Sequence, residues 1–152
     1  MKGKYYASYG SNLNIEQMGR RCPFAQIVGT AVLKDYRLLF KGSRTGNYLT
    51  VEEMPGHEVP VAVWRITKAD EAFLDRYEGF PRFYYKKTVL LDCSDGKRHR
   101  CMIYVMHEDR IIGEPTDWYM DTCLEGYENF GFDRRYLDEA YDYSTKRKGY
   151  TR

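Results

Sequence analysis

An α+β domain built around a closed or strongly curved sheet is the fold class this sequence predicts, and three observations carry that reading. The element order (strand, helix, four strands, helix, hairpin, two helices) is neither regular βαβ alternation nor a pure sandwich. Four strand-like runs follow one another closely between Gln26 and Ile66, the spacing of an antiparallel meander. Ser94-Asp95-Gly96 joins two apolar-rich runs as a hairpin turn does. With 152 residues, the chain is read as one domain, 1 to 143, with a basic and flexible C-terminal tail, 144 to 152.

Element by element, the alternating run Lys4 to Tyr9 reads as a strand, and Asn14 to Cys22 as a helix stopped by Pro23. Gln26 to Leu33, Tyr36 to Lys41, Tyr48 to Glu53 and Val59 to Ile66 are four strands, separated by turn residues that include Gly42 to Asn47 and Pro55-Gly56. Thr67 with Asp70 three residues on is a capping pair. Ala72, Phe73, Leu74 and Tyr77 then recur at helical spacing, which predicts a helix over Lys68 to Glu78 ended by Gly79. Tyr84 to Asp92 and Arg98 to Met106 are the hairpin strands. Thr116 caps a helix from Asp117 to Phe130, Gly131 closes it, and Asp133 caps a last helix from Arg134 to Tyr143.

Charge and composition exclude several functions. The 24 basic and 22 acidic side chains leave a formal charge of +2, too small a field to hold nucleic acid or a membrane surface. Lys146, Arg147, Lys148 and Arg152 concentrate in the tail, where a solvated end is expected. Cys22, Cys93, Cys101 and Cys123 form no Cys-x-x-Cys motif and no apolar leader opens the chain, so free thiols and a cytoplasmic setting are predicted. No run reaches the ~18 apolar residues of a membrane span. His57, His99 and His107 stand apart without a His-x-x-x-His or Cys/His ligand spacing, so no metal centre is predicted. The 15 tyrosines suit a core or a pocket for a small polar ligand, since a buried ring keeps one hydroxyl for hydrogen bonding.

Two segments could do chemistry. Tyr9-Gly10-Ser11-Asn12-Leu13 is a strand-to-helix loop whose glycine lets a ligand approach the backbone, and whose N–H groups lie where a helix start leaves them unpaired. Such a loop suits a carboxylate or an oxyanion. Glu78 lies one helical turn after Leu74, on the face that Leu74 turns to the core. It also sits at the C-terminal end of its helix, where the helix dipole disfavours a negative charge. Burial and the helix end both raise its pKa, as a general acid/base near neutrality requires.

Taken together, the loop Tyr9 to Leu13, the segment Leu74-Asp75-Arg76-Tyr77-Glu78-Gly79, the run Tyr84-Tyr85-Lys86 and the region Tyr119…Gly126…Gly131 occur in the order seen in gamma-glutamyl cyclotransferases. The sequence resembles that family over residues 4 to 140, and most of all its compact bacterial members. The resemblance implies a small mixed or antiparallel β-barrel flanked by helices, with a cavity at the barrel mouth. It implies an enzyme that closes a γ-glutamyl group to 5-oxoproline and expels an amine, with no metal or organic cofactor. By the same resemblance, Glu78 is the acid/base, and Tyr9, Gly10, Ser11, Asn12 and Leu13 grip the glutamyl moiety. Tyr85 and Tyr119 line the pocket, Tyr84 taking the place of Tyr85 if the strand register differs. The expected partner is a small γ-glutamyl molecule, with no nucleic acid and no membrane; monomer and homodimer stay open. A non-catalytic binder of γ-glutamyl-like ligands and an enzyme removing a γ-glutamyl protecting group in a biosynthetic pathway are the alternatives. Two departures bear on pocket shape: Val59-Pro60-Val61-Ala62-Val63-Trp64 lacks a glycine common there, and Ser8 replaces a common alanine.

Overall fold

The computed structural model describes residues 3–151; Arg152 of the basic tail lies outside the described residues. Its elements are β1 (Lys4–Ser8), a 3-10 turn (Ser11–Leu13), α1 (Ile15–Arg21), β2 (Gln26–Ser43), β3 (Gly46–Ile66), α2 (Lys68–Glu78), β4 (Tyr84–Asp92), β5 (Arg98–Met106), β6 (Ile111–Ile112), α3 (Asp117–Phe130) and α4 (Arg135–Lys146). The six strands form one mixed sheet in the order β4-β5-β1-β3-β2-β6, curled into a half-barrel and flanked by the helices. β1 runs parallel to β5 and antiparallel to β3, while β2/β3, β2/β6 and β4/β5 are antiparallel.

The four short strands expected between Gln26 and Ile66 are instead two long ones, β2 and β3, closed by a tight turn at Ser43 opposite Gly46. The breaks read from Pro55-Gly56 become a bulge: the register jumps between Lys34 and Tyr36, where Asp35 takes φ 63° and Gly56 φ 85°. The Asp35 carboxylate accepts the Gly56 N–H at 3.0 Å. A bulge bends a strand without ending it, so the turn residues curl the sheet.

Val59 to Trp64 is buried without interruption, as a strand covered on both faces must be. The inner faces of the sheet supply the core, and Trp64 meets Phe130 of α3 edge-on at 6.1 Å. Pro60 lies beyond the end of the β1 ladder, which stops at Ser8 opposite Ala62; on that side its missing N–H interrupts nothing. Ser8, the other departure from the family pattern, accepts the Trp64 indole N–H at 3.0 Å. An alanine there would leave that buried donor without its partner.

The predicted caps are in place on two helices. Asp70 N–H donates to Thr67 Oγ1 and Thr67 N–H to Asp70 Oδ2, both at 3.1 Å, and Tyr119 N–H donates to Thr116 Oγ1 at 3.1 Å. α4 starts at Arg135 rather than Arg134, with Asp133 accepting the Arg135 N–H, and runs past Tyr143 to Lys146. The extension follows from packing, because Ser144 is buried and its hydroxyl accepts the Phe40 N–H at 3.0 Å. The two-residue strand β6, which no sequence pattern marks, hydrogen-bonds Gly149 and Tyr150 through Ile112. Among the described residues, no helix is long and apolar enough to cross a membrane.

Candidate active site

Glu78 and the glycine loop meet although most of the first half of the chain separates them. β1 delivers the loop to the end of the sheet, and the turn Ser11–Leu13 redirects the chain into α1, whose N-terminus Asn14 caps by accepting the Gln17 N–H at 3.1 Å. α3 pins the loop from behind. The Asn14 amide donates to Glu125 Oε2 at 2.5 Å and to the Thr122 carbonyl at 3.2 Å. Contact is this close because Gly126 has no side chain: a Cβ there would stand 2.7 Å from Asn14 N and from Leu13 Cβ. On the opposite wall, α2 ends at Glu78 because Gly79 turns left-handed at φ 65° and returns its N–H to the Arg76 carbonyl at 3.2 Å.

The two walls enclose a polar recess in two chambers. An inner one of about 20 Å³ lies among Gly10, Asn12, Glu78 and the rings of Tyr6, Tyr9 and Tyr104; an outer one of about 340 Å³ opens past Arg21, Tyr48, Tyr77, Phe83 and Trp118. Ser11, Glu78, Tyr84 and Tyr119 belong to both chambers. Tyr9, Gly10, Ser11, Asn12, Glu78 and Tyr119 thus line one recess. Leu13 is not on the wall: it is fully buried beneath the loop, and its N–H closes the turn on the Gly10 carbonyl at 3.0 Å.

Tyr85 also lies outside the cavity, a correction to the expectation. Pairing of Tyr84 with Met106 and Tyr85 with Val105 sets the register, and the period of two in a strand sends neighbouring rings to opposite faces. Tyr84 turns inward and its hydroxyl donates to the Leu49 carbonyl at 2.8 Å. Tyr85 turns away and donates to Glu108 Oε2 at 2.5 Å, beside the buried Lys41 ammonium, which donates to the Glu108 carbonyl at 3.0 Å.

Leu74 is completely buried, and Glu78, one turn later on the same face, is half-buried and lines the recess. Burial pushes its carboxyl up to about 8, with the Arg21 guanidinium pulling the other way. No hydrogen-bond donor or ion-pair partner reaches that carboxylate among the described residues. Around it, burial first and the nearby Glu78 charge second hold the Tyr6, Tyr9 and Tyr84 phenols well above their ordinary value. These rings stay protonated and serve as donors.

Donor accounting identifies which groups are left for a ligand. Tyr9 O–H is committed to the Tyr104 carbonyl at 2.6 Å and Tyr84 O–H to that of Leu49. Tyr119 instead accepts the Leu49 N–H at 3.1 Å, and Tyr6 accepts from the Asn12 amide at 2.8 Å. The Tyr6 hydroxyl therefore keeps a proton to offer, whereas that of Tyr119 is also hydrogen-bonded with the Cys123 thiol. The Leu13 and Asn14 N–H groups are spent inside the turn, whereas no acceptor among the described residues takes those of Gly10, Ser11 or Asn12. Sequence reasoning missed Arg21, Tyr6, Tyr77 and Tyr104. Only their aromatic or cationic character, on elements already assigned to the site, hinted at them.

The mouth of the half-barrel thus sets a carboxyl group without a protein partner among the described residues beside backbone N–H groups that keep no acceptor there, in a recess sized for a small molecule. The family model described as gamma-glutamyl cyclotransferase, AIG2-like matches residues 6–120. The chain belongs to that family, a family of enzymes. Gamma-glutamylcyclotransferases of Bos taurus and Homo sapiens are 32% and 31% identical to it over 132 residues, which span 82% of this chain and 70% of each relative. Among solved structures, an uncharacterized protein from Homo sapiens aligns over 100% of this chain and 93% of its own, with TM-score 0.82 and 28% identity. A gamma-glutamyl cyclotransferase aligns over 99% and 92%, with TM-score 0.79 and 27% identity.

Proposed function

We propose that this protein converts a γ-glutamyl amide to 5-oxoproline and a free amine, with Glu78 as the general acid/base. The observation that carries the proposal is the position of the Glu78 carboxyl: it faces the same recess as the Gly10–Asn12 backbone, its pKa is raised to about 8 by burial, and no protein donor holds it. A carboxyl group so placed is available to a ligand's proton.

The substrate's α-amine enters as an ammonium. Glu78 takes one of its protons, freeing the lone pair to attack the γ-carbonyl carbon of the same molecule. A ring C–N bond forms, Glu78 returns its proton to the departing nitrogen, which leaves poorly as an anion, and the bond to that nitrogen breaks; the second proton on the ring nitrogen then passes to the released amine, which departs as an ammonium. The free N–H groups of Gly10, Ser11 and Asn12 and the hydroxyl of Tyr6 provide donors for both the α-carboxylate and the oxygen on which charge develops. A fixed donor on that oxygen is worth ~2.7–4 kcal/mol. Since nucleophile and electrophile share one molecule, the recess as a whole has chiefly to hold it folded for attack.

The departing amine would occupy the outer chamber. Its walls are mainly rings, Tyr48, Tyr77, Phe83 and Trp118, with Arg21 as the cation beside them. Such walls favour an apolar or aromatic leaving group over a cationic one.

The test is release of 5-oxoproline from a panel of γ-glutamyl dipeptides and γ-glutamylamines, run with wild type and Glu78→Gln together. Product from wild type only is the expected result. Ligand binding in calorimetry without product from any donor would leave a binding protein and end the enzymatic proposal.

A further inference from the structure

At the far end of the β4/β5 hairpin, away from the cavity, the turn gathers a thiol, a carboxylate and an imidazole. The Cys93 Sγ, an Asp95 carboxylate oxygen and a His99 ring nitrogen all lie within 4.8 Å of one another. Cys93 is buried, and the His99 and Asp95 side chains are only 10% and 26% exposed. The sequence spacing, Cys-x-Asp-x-x-x-His, gave no reason to expect this, and the hairpin register produces it. His99 pairs with Leu91 on the neighbouring strand, and Cys93 folds back toward that pair, its thiol donating to the Leu91 carbonyl at 3.5 Å.

Turn closure does not need these side chains to converge. Backbone bonds from Cys93 N–H to the Lys97 carbonyl at 2.9 Å and from Gly96 N–H to the Cys93 carbonyl at 3.0 Å already close it, with Gly96 at φ 84°. One Asp95 oxygen, Oδ1, takes the Lys97 N–H at 3.0 Å; the other, Oδ2, is turned to His99 Nε2 at 2.7 Å. The imidazole is braced by the Tyr5 ring, with centroids 4.1 Å apart. The turn itself is anchored to β2, since Ser94 Oγ accepts the Thr30 N–H and Ser94 N–H donates to the Thr30 carbonyl, each at 2.8 Å.

We propose that this turn is a binding site for a zinc-type divalent cation, held by the Cys93 thiolate, the Asp95 carboxylate and one imidazole nitrogen of His99. Sulfur, nitrogen and oxygen together match a borderline-soft metal, whereas calcium and magnesium take oxygen donors. Thiolate and carboxylate cancel the cation's two charges, and the imidazole binds neutral. Zinc bond lengths place tetrahedral donors about 3.4–3.6 Å apart. Binding displaces the Cys93 thiol proton into solvent, while the neutral imidazole keeps its single hydrogen on the ring nitrogen that does not bind. The remaining corner is open to water or to the Cys101 thiol, which lies beside Cys93. The site's role is to tie the turn to β5 at the end of the hairpin, independently of the reaction.

The experiment loads the full chain with Zn²⁺ or Co²⁺ alone and removes excess metal by gel filtration. Stoichiometric retention, a sulfur-to-cobalt charge-transfer band in the near ultraviolet and a higher Tm with Zn²⁺ are expected. Cys93→Ser should lose the band, and Cys22→Ser should keep it. Asp95→Asn preserves the oxygen that caps Lys97, so it should fold normally, as circular dichroism would verify, and bind at least about tenfold more weakly. Substoichiometric metal in the wild type, or an unchanged charge-transfer band in Cys93→Ser, overturns the site whatever the outcome of the 5-oxoproline assay.

Discussion

Arg21 and Tyr77 lock the two walls of the cavity together: Arg21 Nη2 donates to the Tyr77 hydroxyl at 2.9 Å, and the guanidinium lies 3.9 Å from the centre of the Tyr77 ring. The same guanidinium donates through Nη1 to Asn12 Oδ1 at 2.7 Å. One cation thus joins the end of α1, the glycine loop and the end of α2, and its charge opposes the rise in the Glu78 pKa. The reaction needs Glu78 ionised, so kcat/KM is expected to rise with pH along an acid limb near 8. Arg21→Gln removes the opposing charge and should move that limb upward. A wild-type limb near the ordinary carboxylate range, or an unmoved limb in the variant, contradicts the assignment.

Glu78→Gln should cut kcat by about 10²–10⁴-fold while raising stability in alkali. Its folded pKa is raised to about 8 from an ordinary 4.5, so the folded state binds the proton more tightly than the unfolded one. That contribution is complete below about 4.5 and disappears as pH climbs through 8. Melting curves should therefore place the variant a few degrees above wild type at pH 8.5 and level with it at pH 4.5. A variant that melts lower at both would mean that the side chain is structural.

Tyr119→Phe and Tyr85→Phe separate cavity from surface. Tyr119→Phe loses a cavity-wall hydroxyl that holds the Leu49 N–H, so kcat/KM should fall at least about tenfold, in line with the worth of a fixed polar group. Tyr85→Phe loses only its bond to Glu108, and steady-state rates should stay within about twofold, as expected for a partly exposed group.

Gly126→Ala tests the close approach of α3 to the loop. With a Cβ forced to 2.7 Å from Leu13 and Asn14, overpacking should cost about 1–3 kcal/mol, read as a lower urea midpoint at unchanged m-value. Gly19, exposed in α1 with nothing within 4 Å of its would-be Cβ, is the control. Gly19→Ala should be stabilising by about 0.4–1 kcal/mol.

Trp118 is 66% exposed at the rim of the outer chamber. Trp118→Ala should raise KM for γ-glutamyl donors with aromatic leaving groups and leave those with alanine unchanged. An equal loss across both sets would remove the rim from substrate choice.

Short-range information was enough to read the helices, the caps of α2 and α3, the β4/β5 hairpin and the inward lean of Glu78 after Leu74, because each depends on residues within one turn or one hairpin. The glycine loop was legible for the same reason: a strand, a glycine and a helix start are adjacent in the chain. Which of Tyr84 and Tyr85 faces the cavity, whether Pro55-Gly56 ends a strand or bends it, where Arg21 reaches and how Cys93, Asp95 and His99 converge were decided only by tertiary structure. Those outcomes depend on strand pairing and helix packing between distant segments, and a register shift of a single residue exchanges the two faces of a strand. Residue types and local periodicity determined what chemistry this chain carries, while long-range pairing decided which of those groups share one space.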